Sequence, residues 1–168
     1  MKDFIEIERK FIIKMPERDE LFSLASSHSS LITQIYLSSL EGITRRIRSR
    51  SFKEGTRYFE TLKRRIDKIS AYEDEREITE VEFIEKSKEI RDGSKPIIKE
   101  RITFPYKKHV IEIDIYPEWK RTAIMEIELK SREEKFEIPS FITIIREVTG
   151  ERRYTNAAMS ESFPPEEK

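Results

Sequence analysis

At 168 residues and with no cysteine, the chain suffices for one domain with its own core, and it excludes disulfides, thiolate catalysis and cysteine–metal sites. Charged residues reach 39%, well above the roughly 25% usual for soluble proteins, yet 33 basic and 33 acidic side chains cancel to a net charge of +0. That balance disfavours a nucleic-acid coat, which calls for a net basic domain, and no apolar run has the ~20 residues of a membrane span or the form of a signal peptide, so a soluble cytoplasmic protein is the expectation.

Period-two alternation dominates, and turn residues punctuate it. The first strand is expected over Phe4–Lys14. A proline and an acidic first turn open a helix over Pro16–His28, with Leu21, Phe22, Leu24 and Ala25 as its apolar stripe. Strands follow over Leu31–Leu40, Gly42–Ser51, Thr56–Ile66 and Ser70–Ile78. Thr79-Glu80-Val81-Glu82 reads as a capping box and starts a helix over Thr79–Arg91, with Gly93 just past its end. Three more strands are expected over Pro96–Thr103, Val110–Tyr116 and Ala123–Lys130, with turns at Phe104-Pro105-Tyr106 and Tyr116-Pro117. A last helix is expected over Ser140–Thr149, between Pro139 and Gly150. The chain therefore reads as α+β, mainly β: one domain over 1–160, then a polar, frayed tail over 161–168.

Residues two apart on a strand share a face. Glu6, Glu8 and Lys10 thus line one face of the first strand, with Ile5, Ile7 and Phe11 on the other. Carboxylates so spaced sit roughly 7 Å apart, which suits a shared divalent cation. The pattern recurs. Arg46, Arg48 and Arg50 share a face, as do Thr61, Lys63 and Arg65, and Glu73, Glu75 and Glu77. So do Lys99 and Arg101, Glu112 and Asp114, and Glu126, Glu128 and Lys130. About eight antiparallel strands close a barrel. Periodicity leaves two barrels open. In one, aliphatics fill the centre and charges face water. In the other, charges line a polar lumen and the apolar faces pack outward beneath the helices. Strips of like charge repel unless each meets a partner of opposite sign, and three amphipathic helices need apolar surface to cover.

These residues, in this order, carry a resemblance to the CYTH domain proteins, the triphosphate tunnel metalloenzymes. The family's opening ExExK is similar to Glu6-Ile7-Glu8-Arg9-Lys10, its tyrosine-leucine element to Tyr36-Leu37 and its RxR strand to Arg46-Ile47-Arg48. Its T-x-K strand resembles Thr61-Leu62-Lys63, its first ExE Glu73-Asp74-Glu75 and its KxR Lys99-Glu100-Arg101. Its strand aspartate falls on Asp114 and its second ExE on Glu126-Ile127-Glu128. A terminal element of bacterial members resembles Glu147-Val148-Thr149 with Arg153-Tyr154-Thr155-Asn156. Departures are Ala71 before the first ExE, Ile111 in place of an aromatic, and Arg121-Thr122-Ala123-Ile124 in place of a Gly-Leu.

The resemblance implies a closed eight-stranded antiparallel tunnel with a charged lumen and a few flanking helices. It also implies a linear triphosphate substrate and a divalent metal, Mg²⁺ or Mn²⁺. Arg46, Arg48, Lys63, Lys99 and Arg101 are then the cations that neutralise phosphate oxygens. Lys10 is assigned to the terminal phosphoryl group. Glu6, Glu8, Glu126 and Glu128 are the metal carboxylates, with Asp114, Glu73 and Glu75 as further ligands or water-orienting groups, because hard oxygen ligands select such cations. Tyr36 either bonds the substrate or is a rim aromatic. Arg152 and Arg153 form a phosphate clamp or a solvated pair. Tyr154 and Asn156 close the tunnel mouth, Trp119 packs, and His28 and His109 lie isolated in surface or loop positions. Hydrolysis of tripolyphosphate or of a small organic triphosphate leads. Adenylyl cyclisation of ATP and a non-catalytic triphosphate- or polyphosphate-binding module remain as alternatives, with no nucleic-acid or membrane partner expected and homodimerisation left open.

Overall fold

Alternating sequence becomes paired strand wherever a neighbour supplies the second row of hydrogen bonds. In the computed structural model, which describes residues 4–168, the strands are β1 (Phe4–Lys14), β2 (His28–Leu37), β3 (Thr44–Phe52) and β4 (Gly55–Arg65). They continue as β5 (Ser70–Ile78), β6 (Ile97–Tyr106), β7 (His109–Ile115), β8 (Thr122–Leu129) and a short β9 (Ile144–Glu147). Their hydrogen-bonded order is β5-β4-β3-β2-β6-β7-β8-β1-β9, and β1 also pairs with β5. That last pairing, with Phe4 opposite Glu73, closes an eight-stranded antiparallel barrel, and β9 joins as an extra strand along β1.

The apolar faces point outward. Phe11 and Ile13 of β1, Ile102 and Phe104 of β6, Ile111 and Ile113 of β7, and Met125 and Ile127 of β8 form one cluster. Leu21 of α1 (Arg18–Ser23) and Phe136, Phe141 and Ile142 of the coil between β8 and β9 cover it. On the opposite wall Ile35, Leu37, Ile47 and Ile78 pack beneath Phe83 of α2 (Glu80–Ser87). Each such aliphatic contributes about 1.5–3 kcal/mol on leaving water. One end of the interior is apolar as well. Ile12, Ile97, Tyr116 and Ile124 meet Trp119, Val148, Tyr154 and Met159, so alternation alone does not make the whole lumen polar.

Four expectations need correction. The stretch Ser140–Thr149 is not a helix: its β-branched Ile144 and Ile145 extend along the open edge of β1, with Phe11 opposite Glu147 and Ile13 opposite Ile144. The helix expected over Pro16–His28 is only α1, and the turn expected at Phe104-Pro105-Tyr106 lies inside β6, the chain reversing at Lys107 with φ 55°. The tail does not fray. Phe163 stacks edge-on against Tyr116 and Trp119, and the Trp119 indole N–H donates to the Pro164 carbonyl at 3.1 Å. Glu166 accepts from the backbone N–H groups of Arg121 and Thr122, and Glu167 from Arg146 and the Tyr154 hydroxyl. Polar tail residues read as solvated in sequence, yet here they cap backbone and cations that are distant in the chain. The Thr79 capping box forms as expected, Thr79 accepting from Glu82 N–H and Glu82 from Thr79 N–H. Among the described residues no helix is long and apolar enough to cross a membrane.

Candidate active site

The inward faces enclose a cavity of about 450 Å³ lined almost wholly by charge. Each strand presents alternate residues to it. Glu6, Glu8 and Lys10 enter from β1, Tyr36 from β2, Arg46, Arg48 and Arg50 from β3, and Lys63 from β4. Glu73 enters from β5, Lys99 and Arg101 from β6, Glu112 from β7, and Glu126 and Glu128 from β8. The chain closes its wall with segments that follow the barrel strands: Arg152, Asn156 and Glu161 line it too.

Opposite charges pair across the strands. Lys63 Nζ lies 2.6 Å from Glu6 and 3.4 Å from Glu73, and Arg46 lies 3.5 Å from Glu73. Arg48 donates to Glu75 at 2.9 Å, and Lys10 Nζ lies 3.3 Å from Glu126. Arg101 reaches Asp114 at 2.7 Å, Glu112 at 2.6 Å and Glu126 at 3.3 Å. Lys99 donates to Asp114 at 2.7 Å while only 1% exposed.

Three sequence expectations shift. Asp114 is not in the cavity wall but beneath it. It is fully buried, and its two oxygens accept from Arg101 and Lys99, so it anchors the basic floor and has no free face for a cation. Arg153 lies outside: its guanidinium stacks 4.7 Å from the Tyr154 ring and faces Glu151 and Glu167, while its neighbour Arg152 turns toward the cavity. Glu75 flanks the lumen, held by Arg48 and the Thr61 hydroxyl. Of the other residues flagged, Tyr154 is buried in the apolar plug and offers its carbonyl to Lys10, and Asn156 Oδ1 accepts from the Tyr116 hydroxyl. His109 is buried beside Phe136, with Glu134 3.0 Å away, rather than sitting in an open loop. Three further lining residues, Arg50, Arg65 and Glu112, were within reach of period-two reasoning. Arg91, Arg152 and Glu161 were not, because coil and helix ends carry no such period.

The carboxylates divide into two groups. Arg46 and Lys63 outweigh burial at Glu73, Lys10 and Arg101 do so at Glu126, and Arg101 and Lys99 at Asp114; all three are held below the usual range. Glu8 is pushed up to about 8 by burial and by Glu126, and Glu128 is raised by burial and by Glu6, Glu112 and Glu73. Glu6 is raised by burial despite Lys63. Glu8 and Glu128 stand directly opposite each other on β1 and β8, like charges in the least favourable register. Among the described residues no three carboxylate or imidazole groups are gathered closely enough to hold an ion as they stand. The donor chemistry nevertheless fits one: oxygen ligands only, on two adjacent strands, with Glu8 and Glu128 held above the usual carboxylate range.

A pH dependence follows. A carboxyl whose folded pKa exceeds its unfolded value binds more protons folded than unfolded, so stability falls as pH rises between the two. For Glu8 that window runs from 4.5 to about 8. Metal-free protein should lose on the order of 3 kcal/mol across it, and Mg²⁺ or Mn²⁺ should restore stability more at pH 8 than at pH 5.5. Thermal melts at both pH values, with and without the cation, measure this. A melting temperature that climbs between pH 5.5 and 8 without metal contradicts it.

A closed eight-stranded antiparallel barrel with facing acidic and basic strips around its lumen defines the CYTH, or triphosphate tunnel, fold, and the chain has that fold. It is similar to a solved structure of the inorganic triphosphatase NE1496, at 27% identity over 95% of this chain and 96% of that one, with a TM-score of 0.59. The fold recurs in the PH1819 protein of Pyrococcus horikoshii OT3, at 22% identity over 77% of this chain and 80% of that one, TM-score 0.56. It recurs also in a candidate adenylate cyclase of Bacillus halodurans, at 16% identity over 79% and 84%, TM-score 0.52. No family model and no curated protein matches the chain.

Proposed function

We propose that the chain hydrolyses a linear triphosphate, inorganic tripolyphosphate or a small organic triphosphate, inside the barrel with the help of Mg²⁺ or Mn²⁺. The observation that carries this reading is the sided lumen: seven cations from β3, β4 and β6 face a carboxylate strip from β1 and β8 across one cavity. Similarity to the inorganic triphosphatase NE1496 supports it. Arg46, Arg48 and Arg101 offer planar forks to phosphate oxygens, and Lys63, Lys99 and Lys10 offer compact charges. Each is now held by a carboxylate, so an incoming phosphate exchanges with that partner. Taking Lys63 from Glu6 leaves Glu6 free beside Glu8 and Glu128, and these three, with Glu126, would hold the cation. Substrate and metal are thereby coupled through shared ion pairs. When bound, the cation neutralises developing phosphate charge and lowers the pKa of a ligated water. Glu73, on the lumen wall, is the carboxylate placed to orient that water. Asp114 keeps Lys99 and Arg101 aimed inward.

The test is a panel of tripolyphosphate, ATP, GTP and thiamine triphosphate with Mg²⁺ or Mn²⁺, run on wild type and Glu6→Gln. Phosphate release from tripolyphosphate is expected, reduced about tenfold or more in Glu6→Gln. Cyclic AMP from ATP would make the chain a cyclase. A raised melting temperature with tripolyphosphate but no phosphate released over hours would make it a binding module. Release indifferent to Glu6→Gln would remove Glu6 from the metal set.

A further inference from the structure

A second cavity of about 150 Å³ opens beside the lumen and shares the wall formed by Glu6, Glu8, Lys10 and Lys63. It exists because the barrel wall is interrupted there. Glu8 N–H bonds the Ile69 carbonyl, Lys10 N–H bonds the Thr149 hydroxyl, and Val148 N–H bonds the Lys10 carbonyl. Two loops, 66–69 and 148–151, thus stand where a continuous strand pair would seal the barrel. Gly150, at φ +76°, lets them meet: a Cβ there would lie 2.8 Å from the Lys68 Cβ.

The cations around this gap are less fully paired than most of those in the lumen. Arg46, Arg48, Lys63 and Arg101 each face a carboxylate. Arg65, Lys68 and Arg152 line the side cavity, and none of them forms an ion pair among the described residues. Of the acids adjacent in the chain, Asp67 is engaged by Arg132 and Glu151 by Arg146. These three cations are exposed and share the concavity with the carboxylates of Glu6, Glu8 and Glu151. With Lys10 and Lys63, its lining still holds five cations against three acids, so it gains from an anion placed between them. The space is well below the about 300–1,000 Å³ of pockets that take nucleotide- or drug-sized ligands, and it has room for a single phosphoryl group.

We infer that this side cavity is a separate phosphate subsite, which takes either the next phosphoryl unit of a linear polyphosphate longer than three or the orthophosphate released from the lumen. The inference rests on the proposed lumen reading only for what occupies the neighbouring space. Lys68 is the residue to change, because it lines the side cavity and not the main one. Lys68→Gln keeps the Cβ and Cγ that pack on Gly150, and Lys68→Arg keeps the charge.

Calorimetric titration of metal-free protein with orthophosphate, tripolyphosphate and tetrapolyphosphate, at one fixed salt concentration, tests it. Lys68→Gln should weaken orthophosphate or tetrapolyphosphate about fivefold, the factor a solvent-screened ion pair provides, and should leave tripolyphosphate nearly unchanged. Lys68→Arg should bind as wild type does. Loss confined to tetrapolyphosphate identifies the site as a chain-length subsite; loss confined to orthophosphate identifies it as a product subsite. Equal affinities for both ligands in wild type and Lys68→Gln overturn the inference. Failure of tripolyphosphate to bind wild type at all would instead overturn the lumen reading.

Discussion

Asp114→Asn should lower the melting temperature by about 10 °C, the largest stability loss expected of any one lumen substitution. The carboxylate is fully buried and is shared by Arg101 and by Lys99, itself 1% exposed. An amide cannot neutralise either cation, and removing one member of a buried ionic set costs about 3–5 kcal/mol because the remaining charge has lost its solvent and its partner. Arg101 retains Glu112 and Glu126, so the loss falls mainly on Lys99. Burial already depresses the Lys99 ammonium to about 8 even with Asp114 present, so the variant should hold this lysine neutral near pH 7. Adding Lys99→Met to Asp114→Asn should recover part of the stability, since an apolar side chain of similar length has no charge to strand. Circular dichroism melts of the single and double variants decide this. A single variant melting within about 2 °C of wild type would show that the cluster does not brace the barrel floor.

Glu8→Gln should abolish metal-dependent turnover, by at least about a hundredfold, while making the metal-free protein more stable at pH 8. The first half follows from its place in the oxygen-rich strip, since even groups one step removed from a metal cost about 10–100-fold when lost. The second half follows from burial and from the neighbouring Glu126 charge, which raise the Glu8 pKa and make its ionised form a burden on the empty fold. Stabilisation by Mg²⁺ or Mn²⁺ should vanish in the same variant. The opposing signs matter: a merely structural glutamate would lose stability and activity together. Phosphate release and thermal melts with and without the cation measure both halves. Retained turnover, or a metal-free melting temperature below wild type at pH 8, would place the cation elsewhere.

Much of this site could be read before the fold was known, and particular residues show why. Arg46 and Arg48, or Glu126 and Glu128, share a face because side-chain alternation is a property of the extended backbone itself. It needs no knowledge of the partner strand. Asp114 and Glu112 mark where that reasoning stops. They share a face and differ by two residues, yet Glu112 lines the cavity and Asp114 lies beneath it, because their height along the strand relative to Lys99 and Arg101 is a matter of register. The same holds for Ile12 and Lys10: one parity, but one lies in an apolar plug and the other beside Glu126.

Sequence by itself therefore settled which segments form the eight barrel strands and which charges stand together on a face, since both follow from interactions over two or three residues. That the charged faces turn inward was implied by the family resemblance and left open by periodicity, while tertiary structure alone decided that 140–149 joins a sheet edge instead of coiling and that the acidic tail is pinned to Trp119 and β8. Those outcomes depend on what lies across the barrel. A side chain's electrostatic fate is set by neighbours tens of residues away, brought near only once β1 meets β5.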